Sequence, residues 1–369
     1  MPLFFKGPST AIMQELRQLG LTFAIALATG WLFLQLRMPA PYLMGSLFGV
    51  WIIGGVIKPL QPHLGVARWF HIPVILGLGV LIGANFTADI VTRAGDWYIT
   101  IAIMIGTTIL VSAIGYVFLT KRRGYESKLA FLCCIPGGQA EALVLARDLV
   151  DKDYIVALFH LVRVVIVFIS TPLLLALVQG SAAVDQSNAA LLAMPSITDL
   201  AHTELIAFIG IAILGYFAAK VLRIPMPHLI GTMGLSTILH MMGWVELPRV
   251  NEFVMLAQLA IGGAVGARLA KVRFRTLLGY LKDAGVNTAM ILSAYIAAAL
   301  IIAATTELEF LIIWLSFVPG GLYEVTLLAL VFGFDVAYIA FHHTIRVVMI
   351  FLSLPVVILH LNRPSSRSG

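Results

Sequence analysis

The stretch IPGGQAEALVLARDL at residues 135–149 returns 183 positions later as VPGGLYEVTLLALVF at 318–332. The same shift carries Glu141 to Glu324, His160 to His343, Arg163 to Arg346 and Pro172 to Pro355, as FHLVRVVIVFISTPLL becomes HHTIRVVMIFLSLPVV. Gly79 and Gly83 map in this way onto Gly262 and Gly266. Further upstream, LRMPAPYLMG at 36–45 matches LRIPMPHLIG at 222–231 with a shift of 186, so a loop differs slightly in length. Self-similarity at a fixed long period is an internal duplication. With the basic loops, it predicts a cytoplasmic or interfacial lead-in at 1–18, a first half at 19–178, an external polar linker without Lys or Arg at 179–203, a second half at 204–361 and a cytoplasmic tail at 362–369.

The chemistry of the surroundings sets the solvent. Of 369 residues, 60% are hydrophobic and 11% charged, against roughly 45–50% and 25% in soluble domains. Charge-free runs lie between Arg17 and Arg37, Arg37 and Lys58, Arg68 and Asp89, Asp96 and Lys121, Arg163 and Asp185, Arg223 and Glu246, and Asp283 and Glu307. A bilayer crossing needs about 20 such residues. The runs are continuous rather than alternating, which predicts helices and not barrel strands. This composition excludes a soluble enzyme, a disordered chain and a disulfide scaffold. The net charge of +6 comes from basic residues in short loops, which fits a lipid bilayer and no nucleic acid. Cys133 and Cys134 are adjacent, with no metal or disulfide spacing, and read as packing residues.

The Pro-Gly-Gly segments are too short to cross alone. Lys128 to Glu141 encloses twelve uncharged residues, and Glu309 to Glu324 encloses fourteen. Proline removes a donor and paired glycines open the backbone, which is tolerated at membrane depth only against protein or water. Crossings are expected near 19–36, 41–57, 70–90 and 97–119. If each segment, around 129–150 and 310–333, enters and leaves on one side, then KRRGYESK at 121–128, RLAKVRFR at 268–275 and both termini all fall in the cytoplasm. Each half then has about five crossings, and an odd number makes the halves inverted repeats. The expected fold is an all-α polytopic membrane protein with two inverted repeats, each carrying a re-entrant Pro-Gly-Gly hairpin.

These hairpins supply the candidate solute- and ion-binding residues: Pro136, Gly137, Gly138, Glu141 and Arg163 in one half, Pro319, Gly320, Gly321, Glu324 and Arg346 in the other. Open amides at broken helices attract anions or coordinating ions, or the glycines simply allow tight packing. A glutamate one turn past the break could hold a proton or a cation, or pair structurally with an arginine. An arginine there could clamp a carboxylate bidentately, or bind the carbonyls at a hairpin end. His160 and His343, three residues before the arginines, read as packed or interfacial side chains, and His342 has no counterpart because Phe159 occupies its place.

At these residues the chain resembles the AbrB-like family of duplicated bacterial integral membrane proteins, which is distinct from the soluble DNA-binding AbrB. The resemblance covers nearly the whole chain and rests on Pro136-Gly137-Gly138 with Arg163 and Pro319-Gly320-Gly321 with Arg346. It implies the bacterial inner membrane, and that family has been labelled both as regulators of gene expression and as ammonia monooxygenases. The hairpin arrangement is also similar at fold level to elevator-type carboxylate transporters. The leading expectation is a gradient-coupled transporter of a small organic anion, using protons or sodium, with no enzymatic activity and no cofactor. The alternative is a membrane sensor that affects gene expression without binding DNA itself. A monooxygenase would need clustered metal ligands, and the nine histidines are scattered. Glycine-rich faces and the family analogy leave a homodimer as the assembly to expect.

Overall fold

The computed structural model describes residues 8–137 and 139–361. All regular elements among them are helical. The first half contributes α1 (Pro8–Gln35), α2 (Pro41–Val56), α3 (Arg68–Gly83), α4 (Tyr98–Val117), α5 (Ser127–Cys134), α6 (Gln139–Leu149) and α7 (Asp153–Leu192). The second contributes α8 (His202–Val221), α9 (Thr232–Met241), α10 (Asn251–Ala270), α11 (Phe274–Thr305), α12 (Phe310–Phe317), α13 (Leu322–Phe332) and α14 (Val336–Leu361). Among the described residues, seven helical stretches are long and apolar enough to cross a bilayer: Ile12–Gln35, Thr92–Arg122, Asp153–Leu192, His202–Val221, Asn251–Ala270, Leu277–Thr305 and Val336–Leu354.

The structure shortens two of the expected crossings. Where 41–57 and 70–90 read as spans, α2 and α3 have 16 residues each. At 1.5 Å per residue such a helix rises about 24 Å, short of the roughly 30 Å apolar core. Their ends are set locally. Pro41 starts α2, and beyond Gly83 the Asn85 side chain donates to Leu81 O at 2.6 Å. The linker also holds more structure than its polar composition implies. Helix α7 bends at Gly180 (φ 81°) and continues to Leu192, and a 3-10 turn follows at Ile197–Asp199. Glu252 at the start of α10 accepts from Ser196 Oγ at 2.5 Å and from Ile197 N at 3.0 Å.

The chain divides into two compact units that cut across the sequence halves. One comprises Met1–Phe86, Ile169–Arg273 and Leu330–Gly333, the other Thr87–Phe168, Phe274–Ala329 and Phe334–Gly369. The first unit therefore draws α1–α3 from one half and α8–α10 from the other. The second draws α4–α6 and the start of α7 from one, and α11, α12, most of α13 and α14 from the other.

Within the first unit the duplication is visible in the backbone. Among the described residues, the non-glycine ones with positive φ are Arg37 (52°), Ala40 (46°), Arg223 (56°) and Met226 (50°), two pairs related by the shift of 186. Ala40 and Met226 each precede the proline that opens a helical turn, where the right-handed helical region is sterically disfavoured. Glycines then let helices cross at backbone distance. Gly79 and Gly83 of α3 lie against Leu229 O, Thr232, Met233 O and Ser236, while Gly262 and Gly266 of α10 lie against Leu43 O, Ser46, Leu47 O and Val50. Each half's third helix thus packs on the other half's second, through equivalent residues.

Candidate functional site

Both Pro-Gly-Gly segments break a helix in the second unit. Helix α5 ends at Cys134 and α6 begins at Gln139, and helix α12 ends at Phe317 with α13 beginning at Leu322. With eight residues each, α5 and α12 rise about 12 Å. Pro136 and Pro319 supply no N–H, so the last carbonyls of α5 and α12 lose their intrahelical partners. In apolar surroundings an unmet carbonyl costs several kcal/mol.

The arginines meet that need. Arg163 Nη1 donates to Ile135 O and its Nη2 to Cys133 O at 2.7 Å, and His160 Nε2 pairs with Leu132 O at 3.1 Å. In the other half Arg346 Nη1 donates to Phe317 O at 2.7 Å and Nη2 to Val318 O at 3.0 Å. His343 Nε2 pairs with Leu315 O at 2.8 Å, and its Nδ1 accepts from Arg346 Nη2 at 2.7 Å. His160 and His343 therefore grip carbonyls 183 positions apart, and each histidine donates from Nε2 because a carbonyl can only accept. A planar guanidinium reaches two carbonyls at once, which an ammonium cannot do as rigidly.

Both arginines are 1% exposed. Neither forms an ion pair with a described carboxylate. The Nε of each has no hydrogen-bond partner among the described residues. Among the described residues, backbone carbonyls, joined at Arg346 by the His343 ring, are what solvates the guanidinium charge.

The breaks also touch across the two halves. A Cβ at Gly137 (φ 119°) would lie 3.3 Å from Ile350 Cδ1 and 3.4 Å from Arg346 Nε, whereas one at Gly320 would lie 3.4 Å from Val167 Cγ1. Val167 and Ile350 are equivalent under the shift of 183. Each break therefore rests on the long helix that follows the other. This brings Gly137 of one half to Arg346 of the other. Pro136, Pro319 and Gly320 are buried at the breaks. Glu324, 3% exposed in the first turn of α13, folds its carboxylate over Gly321, where a side chain would collide with it. Gly138 lies outside the described residues. Glu141 sits in the first turn of α6, and its side chain also lies outside them.

Several polar residues around the breaks have no sequence signature. Tyr295 of α11, fully buried, shares a hydrogen bond of 2.8 Å with Thr108 of α4. Asn287 of α11, also fully buried, faces Cys134 Sγ at 3.8 Å, and Gly115 lets α4 approach both. Thr100 Oγ1 lies 2.8 Å from His342 Nε2. These contacts join residues about 150 to 240 apart in the chain, which no local pattern reveals.

Away from the breaks, a cavity of about 400 Å³ is lined by Arg123, Tyr125, Glu126, Lys152, Ile155 and Tyr280, among others. Its rim is fixed by Asp283, which pairs with Arg123 at 2.5 Å and accepts from Tyr125 OH at 3.0 Å. Burial, reinforced by that hydrogen bond, pushes the Tyr125 phenol well above its usual range. No cluster of three or more His, Cys, Asp or Glu side chains suited to a metal occurs among the described residues.

Helices long and apolar enough to cross a bilayer, a duplicated chain and two broken helices held by buried arginines give the chain the character of an all-helical membrane protein. The family model described as "Transition state regulatory protein AbrB" matches residues 49–362, and the chain belongs to that family. It is 24% identical over 302 residues to the "Uncharacterized protein YhjN" of Bacillus subtilis, covering 78% of this chain and 77% of that one. It is 24% identical over 342 residues to the "Putative regulator AbrB" of Escherichia coli, covering 92% of this chain and 95% of that one. No solved structure matches.

Proposed function

We propose that this protein is a gradient-coupled secondary transporter of a small organic anion in the bacterial inner membrane. The observation that carries the reading is the pair of buried arginines at the two breaks, which hold hairpin carbonyls, form no ion pair with a described carboxylate, and leave an Nε unmet beside Gly137. A cation held by neutral carbonyls in a desolvated place attracts a carboxylate strongly. The position suits a carrier, because broken helices from two halves meet at the binding level in inverted-repeat transporters.

On this reading the Pro-Gly-Gly elements are re-entrant and the halves are inverted, with both termini and the clusters at 121–128 and 268–275 in the cytoplasm. The unit holding both breaks is the moving part of an elevator, and the unit cross-packed through glycine is its scaffold. Gly138, Glu141, Gly321 and Glu324 complete the site, the carboxylates binding the coupling proton or sodium. The protein is a carrier and not an enzyme, and it works as a homodimer.

Uptake into proteoliposomes tests this directly, with a panel of small carboxylates and amines under imposed proton or sodium gradients. The expected result is gradient-driven uptake of a carboxylate, lost in the double variant Glu141→Gln, Glu324→Gln. The name of the Escherichia coli relative favours a second reading, a membrane sensor that regulates expression. Binding of a solute without movement, surviving the double substitution, is the outcome that would select the sensor.

A further inference from the structure

The buried cluster at the start of α14 has chemistry that the arginine site does not use. His342 is fully buried, and its position in the first half holds Phe159, so it breaks the symmetry of an otherwise paired site. His160 and His343 each spend a ring nitrogen on a carbonyl at a helix break, and the other nitrogen of His343 accepts from Arg346. His342 is held differently. Its Nδ1 lies 2.8 Å from Tyr338 O, so that nitrogen must carry a proton. Its Nε2 faces the Thr100 hydroxyl at 2.8 Å, and that hydroxyl also lies 2.9 Å from Trp97 O.

One hydroxyl proton is available for two acceptors. With His342 neutral, Thr100 donates to Nε2. With His342 protonated, Nε2–H donates to Thr100 Oγ1, and the hydroxyl proton turns to Trp97 O. Neither state leaves a ring nitrogen of His342 without a partner, so the proton can arrive or leave without breaking the contact between α4 and α14.

The rest of the environment sets the balance. The tilted ring of Tyr338 is centred 4.2 Å away, near enough to favour a cation, while Phe317 of α12 at 6.2 Å and Trp97 at 6.3 Å lie at the edge of that range. Among the described residues, the ionisable groups near the ring are Tyr338, His343 and Arg346, all on its own helix. The residues facing it from before α4 and from α4 and α12, namely Trp97, Thr100 and Phe317, carry no charge. Full burial of the ring and Arg346, one turn on, both oppose the imidazolium.

We propose that His342 is a proton-binding site whose protonation reverses the direction of its hydrogen bond with Thr100. Its use in coupling, as a second proton site beside the Glu141 and Glu324 carboxylates, rests on the carrier reading above. An anion beside Arg346 would relieve the repulsion, and linkage then requires that the proton favour the anion in return.

The test uses the full chain in lipid nanodiscs without added solute, and follows tryptophan emission from about pH 9 to about pH 4, the range spanning histidine titration. Wild type should show one quenching step as imidazolium forms against Trp97. The step should be absent in His342→Phe, in the better-tolerated His342→Gln, and in Trp97→Phe. A step that persists in both His342 variants, or no step in wild type, overturns the proposal. Uptake then separates the two ideas. If His342→Gln still exchanges a carboxylate but loses stimulation by the proton gradient, His342 is a coupling site. A His342-dependent step in a protein that moves no solute leaves the proton site standing and removes the carrier. Proton-driven uptake that His342→Gln leaves intact removes the coupling role.

Discussion

Arg346 and Arg163 show how a charge can be placed in apolar surroundings for two purposes at once. Each closes the backbone at a helix break through two Nη donors, and neither is paired with a carboxylate among the described residues. Replacing either with Lys should cost about 2 kcal/mol in unfolding free energy, because one ammonium cannot hold both carbonyls in the same geometry. Thermal unfolding in detergent reads this, and Arg→Ala should cost more. Gly137→Val should leave the protein folded but abolish uptake, since φ of 119° is strained for a side chain and the added methyls would sit on Arg346 Nε. Tyr125 makes a separate prediction about pH. Its raised pKa means that its stabilising bond to Asp283 is intact below about pH 10 and fades as pH rises further. Tyr125→Phe should lower stability by about 1 kcal/mol near neutrality. Unfolding curves for the two proteins should converge in alkali.

The cross-packed glycines make the fold sensitive at some helix positions and indifferent at others. Gly79→Val and Gly262→Val should each destabilise by more than about 2 kcal/mol, because a side chain there meets a carbonyl oxygen and a hydroxyl of the opposing helix. Gly106→Ala in α4 meets nothing within 4 Å and should be neutral or stabilise by up to about 1 kcal/mol. Scanning unfolding across these three separates packing from helix propensity. Some of this was legible in the sequence. Proline and paired glycine announce a break wherever they occur, and the repeat of Arg163 as Arg346 marked the helix that follows. The partners of those arginines were not legible, because they are backbone carbonyls and any residue type supplies one. The lengths of α2 and α3 were hidden too, since an apolar run does not say how much of itself is helix. His342 stood out only as a histidine without a counterpart, because Thr100, its hydrogen-bond partner, lies 242 positions away.

Among whole-molecule properties, sidedness is the most direct to check. Single cysteines at Lys121 and Lys271, introduced with Cys133 and Cys134 replaced by Ala, should label from the cytoplasmic face, and one at Glu307 from the outer face. Labelling of all three from one face would remove the inverted arrangement. The interleaving of halves and units has another consequence. Neither half of the chain contains a whole unit: one supplies α1–α3 to the first unit and α4–α6 to the second, and the other supplies the complements. A polypeptide ending near residue 190 therefore exposes unmatched surfaces in both places. Co-expressed with the remainder, it should reassemble by fragment complementation, while either piece alone should be degraded. The same logic describes an ancestor of half this length, able to fold only by exchanging its elements with a second copy of itself.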